Sequence, residues 1–225
     1  MRFLIAQLSD CHFRADRSKC PLLGRANALA DVIAARSMDV QACFLVFSGD
    51  LAFSGKPEEY VLVREFVTNI RQRLNACRKG LEIHLLAIPG NHDCDFSRAN
   101  QVRELILRNL DVEALKDASI VGSCTEVQQP FFEFLRAVDP SLATSFQDPL
   151  CDTRDFKVDG ATIRFTLLNS AWCSSLQEQQ GSLRFPPGRI QPANSEDSAP
   201  DAAITVTHHP FNWLAADNAR SVRES

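Results

Sequence analysis

Three short apolar runs, each broken off by a polar cluster, constrain this chain more than any other feature. Phe3–Leu8 ends at Ser9-Asp10-Cys11-His12, Cys43–Phe47 at Ser48-Gly49-Asp50, and Ile83–Ile88 at Pro89-Gly90-Asn91-His92-Asp93. None shows the alternation of a half-exposed strand, so all three predict parallel strands buried on both faces. Helical periods fill the gaps between them. Leu22, Ala26, Leu29 and Ile33 recur at spacings of four, three and four, and Tyr60, Val63, Val67, Ile70, Leu74 and Cys77 keep a three-four alternation. Pro57, Glu58 and Glu59 suit the positively polarised first turn of that second helix, and Arg78, Lys79 and Gly80 its end. Strand, helix, strand, helix, strand is an α/β arrangement, in which ligands gather where strands end and loops leave the sheet. All three polar clusters fall at that position.

The rest of the chain is less regular. Ala99–Leu110 and Pro130–Val138 read as helices, and Phe156–Val158 with Thr162–Leu168 as a hairpin turned at Asp159-Gly160. Pro186–Pro200, rich in Pro, Ser, Asn and acidic residues, reads as an exposed loop. Ala203–Thr207 is a last strand, ending in His208-His209-Pro210. There is no internal repeat and no compelling internal boundary, so a single domain is expected over 1–225.

Composition excludes several classes. At 225 residues, 45% apolar and 23% charged, the chain can bury a sizeable core. A net charge of −4 with scattered Lys and Arg gives no general attraction to nucleic acid or anionic membranes. The apolar stretch before Asp10 is too short for a signal peptide or a membrane span, so a soluble, cytoplasmic protein is expected. The eight cysteines form no C-x-x-C pair, which argues against a zinc knuckle and for free thiols.

The polar clusters carry metal-binding chemistry. Asp10 and His12 are two apart, so in an extended chain their side chains point the same way. A carboxylate with an imidazole suits Mn²⁺, Fe²⁺ or Zn²⁺. Asp50 adds a carboxylate able to bridge two ions, Asn91 an amide oxygen and His208 a further imidazole. Two cations about 3.5–4 Å apart clamp a phosphate, and a bridging carboxylate relieves their mutual repulsion. His92, beside a ligand in a turn, faces the substrate and can protonate a leaving oxygen, with Asp93 expected to hold its ring through the other nitrogen. Gly49 and Gly90 permit tight turns.

The order Asp10-Cys11-His12, Gly49-Asp50, Gly90-Asn91-His92-Asp93, then His208 resembles the calcineurin-like metallophosphoesterase superfamily, from Phe3 to about Trp213. The resemblance implies an α/β fold, a four-layer α/β/β/α sandwich with two mixed β-sheets, and a dinuclear centre at the strand ends. It implies that Asp10 and His12 bind the first ion, Asp50 bridges, and Asn91 and His208 bind the second. It implies His92 as the substrate-contacting acid with Asp93 as its partner, and favours His208 over His209 as ligand. The implied activity is hydrolysis of a phosphomonoester or phosphodiester by hydroxide generated at two divalent ions (Mn²⁺, Fe²⁺ or Zn²⁺). The family's closing Gly-His-x-His motif is absent before Ser225. A domain truncated at its C-terminus, with a further module in a longer chain, is therefore expected. Two other readings stand beside this one: a non-catalytic sensor or interaction domain with an incomplete site, and a nuclease, for which nucleic acid enters only as substrate.

Other residues are read more plainly. Cys11 and Cys94 inside the motifs are expected to pack rather than ligate, and Arg98 to be solvated rather than to reach phosphate. Asn169 reads equally as a core amide or a residue near the site. Phe211 and Trp213 are expected in the core, and His84 as a hydrogen-bonded structural histidine.

Overall fold

The computed structural model describes residues 1–111, 117–139, 147–190 and 199–224. Strands β1 (Phe3–Leu8), β2 (Ala42–Ser48) and β3 (Glu82–Ile88) form a parallel sheet in the order β1-β2-β3. Helices α1 (Ala26–Arg36) and α2 (Pro57–Cys77) make the two crossovers. In the second sheet, β4 (Cys151–Val158) pairs antiparallel with β5 (Ala161–Leu168), and β5 pairs parallel with β6 (Ala202–Thr207). The second sheet is thus mixed, whereas the described strands of the first are parallel throughout, because a helix crossover returns the chain in the same direction.

Strand β2 shows why the fold is a sandwich. All seven of its residues are buried. Cys43, Leu45 and Phe47 face a core shared with α1, α2 and α5 (Gln129–Val138), while Ala42, Phe44 and Val46 face the second sheet. A period of two therefore feeds two different cores, which reads in sequence as one unbroken apolar run. Between the sheets, the Phe44 ring meets Phe3, Phe156 and Phe165 at centroid distances of 5.7, 5.0 and 4.7 Å. Burying one such ring stabilises the fold by about 1.5–3 kcal/mol.

Helices α3 (Gln101–Arg108), α4 (Ala118–Thr125) and α6 (Ala216–Glu224) gather around a further core with Leu150, Leu168, Trp172 and Phe185. Neither α4 nor α6 is expected from sequence, and β4 begins at Cys151 rather than Phe156. Gly122 and its Ser, Thr and Cys neighbours give α4 little intrinsic propensity. Its one start signal is Asp117, whose carboxylate accepts from Ser119 N at 2.8 Å. Helix α6 is held by Asn218, which accepts from Phe185 N and donates to Phe185 O at 2.7 and 2.6 Å. Of the expected loop Pro186–Pro200, a short 3₁₀ turn covers Pro187–Arg189, and 191–198 lie outside the described residues. Among the described residues, no helix is long and apolar enough to cross a membrane.

Candidate metal centre

Because β1, β2 and β3 are parallel, their carboxyl ends deliver Asp10, Asp50 and Asn91 to one edge of the sandwich, and β6 delivers His208 to the same edge. The loops are zipped together by backbone bonds. Asp10 N donates to Gly49 O at 3.1 Å, His12 N to Asp50 O at 3.0 Å and Phe13 N to Leu51 O at 2.8 Å.

Asp10 and His12 do not share the face of an extended strand, as their spacing suggests. Both lie in the left-handed region, at φ 56° and 48°, as does Asp50 at 56°. The two turns still bring Asp10 Oδ1 to 3.8 Å from His12 Nε2. Asp and His tolerate that region better than most residues, and each such conformation costs about 1–3 kcal/mol. Three of them at one edge are strain held by the surrounding fold.

Asp50 is the hub. Its carboxylate is buried, with Oδ2 3.9 Å from His12 Nε2 and Oδ1 3.5 Å from His208 Nε2. Oδ1 also accepts from His92 N at 2.9 Å. His208 Nδ1 lies 2.9 Å from Ser48 O, an acceptor, so Nδ1 carries a proton and in the neutral ring Nε2 presents a lone pair. That lone pair faces Asn91 Oδ1 at 3.2 Å as well as Asp50. In the neutral ring these are acceptors facing acceptors, an arrangement relieved by a cation between them or by a proton on Nε2. On the other side His12 Nδ1 is buried without a hydrogen-bond partner. Carboxylate, amide oxygen and imidazole together form a donor set for divalent cations, and the residues fit such ions.

Two glycines make room for this cluster. A Cβ at Gly49 (φ 101°) would run into the His208 imidazole, and one at Gly90 would run into Asp50. His209 turns away from the centre. Its Nδ1 lies 3.0 Å from Ser170 Oγ and its Nε2 3.0 Å from Glu178 Oε1. Burial pushes the Glu178 carboxyl up, but hydrogen bonding led by His209 outweighs it and holds the group below its usual value.

His92 and Asp93 are adjacent but not partnered, which corrects the expected pairing. His92 Nδ1 is held by Phe53 O at 2.7 Å, so a backbone carbonyl fixes the ring and Nε2 is left toward the site. His92, His12 and Asp50 place ligand atoms within 4.8 Å of one another. Asp93 is fully buried and braces the loops instead. It accepts from Leu51 N, Ala52 N, Gly90 N and Tyr60 Oη at 3.2, 2.8, 2.9 and 2.9 Å. In a 3₁₀ turn over Asn91–Asp93 successive side chains diverge, so Asp93 points under the loop while His92 points out. Burial raises the Asp93 carboxyl to about 6 against these hydrogen bonds. Burial also raises the Tyr60 hydroxyl, which stays a donor.

The roles of Ser48 and Phe53 come from backbone carbonyls and leave no mark in the sequence. Tyr60 is visible there only as one position of an apolar helix stripe. The remaining candidates fall out as follows. Arg98 is engaged by Asp95 at 3.4 Å and Gln129 at 2.7 Å. Asn169 is a core amide bonded to Gln128 and Pro149 O. Burial raises the Cys11 thiol to about 12 and pushes Cys94 up as well, so both stay protonated. His84 lies between Phe44 and Phe156, and Phe211 and Trp213 flank the α6 core.

Comparison with known proteins agrees with this geometry. Glycerophosphodiester phosphodiesterase GpdQ of Enterobacter lignolyticus (strain SCF1) is 35% identical over 92 residues, covering 40% of this chain. The aligned part is 29% of that protein's length. A model of calcineurin-like phosphoesterases matches residues 3–223, from the first residue of β1 into α6 and across all four strand ends that supply the site. The chain therefore belongs to the calcineurin-like phosphoesterase family.

Proposed function

We propose that the protein is a metal-dependent phosphoesterase whose centre holds two divalent cations, with Asp10, His12 and Asp50 toward one and Asp50, Asn91 and His208 toward the other. The observation that carries this reading is Asp50, whose two oxygens lie toward two different imidazole nitrogens, at 3.9 and 3.5 Å. A carboxylate so placed is suited to bridging, and the donor set favours Mn²⁺, Fe²⁺ or Zn²⁺. Bound cations of this kind draw charge off phosphoryl oxygens and make water a stronger acid.

The chain's own groups do the rest. His92, fixed through Nδ1 on Phe53 O, has Nε2 free to bond a phosphate oxygen or to protonate the departing one. Asp93, through its four bonds, keeps the Gly90–Asp93 turn and the loop after β2 in register, so His92 and Asp50 stay fixed relative to each other. The substrate is a phosphomonoester or phosphodiester, and the name of the similar GpdQ makes a diester the first to assay.

The test is direct. The purified chain should bind two Mn²⁺ and hydrolyse bis(p-nitrophenyl) phosphate, while Asp50→Asn should lose both ion stoichiometry and turnover yet keep its circular dichroism. A wild-type chain with neither metal nor turnover would point to the sensor reading. A second reading, one ion held by His12, Asp50 and His92, is favoured by their mutual closeness. It requires His92→Ala to lose metal.

A further inference from the structure

Arg14 lies two residues after His12, on a loop clamped from both sides. Phe13 bridges to Ala52, with Phe53 N donating to Phe13 O at 2.9 Å. Cys20 Sγ sits 3.2 Å from both Arg14 N and Arg14 O. The Phe13 side chain is driven into the core, at 1% exposed, and Arg14 leaves the loop over Phe53, its guanidinium carbon 3.3 Å from the ring centroid. The same ring packs against His12 and His92, at centroid distances of 6.3 and 5.6 Å. One aromatic platform therefore carries Arg14 and both histidines, and the backbone carbonyl of that residue fixes His92.

Among the described residues, the charge on Arg14 is unpaired. Arg98, the other arginine beside the motif loops, is taken by Asp95 and Gln129, whereas no described carboxylate lies within ion-pair distance of Arg14. Stacking uses the face of a guanidinium and leaves its N–H edges free, in a fork that matches two oxygens of a phosphate. A cation one ring away from the candidate metal centre, with its donors unengaged among the described residues and its backbone clamped, is placed to receive an anion.

We propose that Arg14 is a phosphate-binding residue of this site, taking peripheral phosphate oxygens. This rests on the phosphoesterase reading, but its test does not require turnover. Binding of inorganic phosphate is measured by titration calorimetry, with and without Mn²⁺, for the wild-type chain, Arg14→Gln and Arg14→Lys. Arg14→Gln should weaken phosphate about tenfold, the range expected for losing one bidentate charge-assisted contact. Arg14→Lys should fall between, keeping charge but losing the fork. Mn²⁺ stoichiometry should not change in either variant. Phosphate affinities equal within twofold across the three proteins would overturn the proposal, and so would a wild-type chain that binds no phosphate. Absence of Mn²⁺ binding in all three would instead refute the metal reading, while the metal-free titration still decides Arg14.

Discussion

Replacing Gly90 with alanine isolates the part of the site that depends on close approach. The φ at Gly90 is −104°, which any residue adopts, so backbone strain does not enter. A Cβ there would fall 2.6 Å from Asp50 N and closer still to Asp50 Oδ1, where ordinary contact begins at 3.4 Å. Neither atom is the far end of a flexible chain. The amide nitrogen sits in the loop that β2 feeds, and the carboxylate is buried between two histidines. Asp50 must therefore retreat by about 1 Å, and a displacement of that size in a positioned group costs roughly 100-fold in its function. Overpacking adds a stability loss of about 1–3 kcal/mol. Gly24→Ala is the control, since nothing lies within 4 Å of a Cβ there. Isothermal titration with Mn²⁺ and urea unfolding on both variants read the two effects separately. If Gly90→Ala binds metal as the wild type does while folded, Asp50 is not the hub of the centre and the reasoning fails.

Three further outcomes follow from the same contacts. Tyr60→Phe removes one of four donors to buried Asp93 and should lower unfolding free energy by about 1–3 kcal/mol, a hydrogen bond to a charged group. A urea midpoint unchanged from wild type would show that the brace does not need the hydroxyl. His92→Ala should cut kcat by about 100-fold, the usual share of a general acid, with two Mn²⁺ still bound. Loss of one ion would make His92 a ligand. Burial against Phe44 and Phe156 holds His84 below its ordinary value of 6.5, against a weaker upward pull from Glu82. With the folded value below the unfolded one, the stability owed to the neutral ring is complete above the unfolded value and is lost as pH falls through the folded one. The urea midpoint should therefore drop on going from neutral to acidic pH, and His84→Leu should flatten that drop. Identical slopes in the two proteins would refute the assignment.

The local sequence was enough to place most of the elements that surround the candidate site. Unbroken apolar runs announced β1, β2 and β3, and parallel pairing put their polar ends on one edge. Strands β2 and β3 feed a core on both faces as expected, whereas β1 leaves Ile5 and Gln7 exposed, because β2 covers only one of its flanks among the described residues. The helical stripe of α2 and the Asp159-Gly160 hairpin were equally legible. Asp10, His12, Asp50, Asn91 and His208 stood out as candidate ligands at the strand ends, and the structure brings these five side chains to one edge. What the sequence could not carry was orientation. It read Asp10 and His12 as an extended pair, but three left-handed residues set their directions, and those depend on backbone bonds to the neighbouring loop. It gave the His92 ring to Asp93, its neighbour in the chain, but the ring belongs to a carbonyl 39 residues away. Helices α4 and α6, weak in propensity or poor in apolar residues, exist because a core and a backbone clamp receive them. Residue types and periodicity are local properties and survive in a string of letters. Which lone pair faces which nitrogen is decided by contacts between distant segments, and only the packed chain holds those.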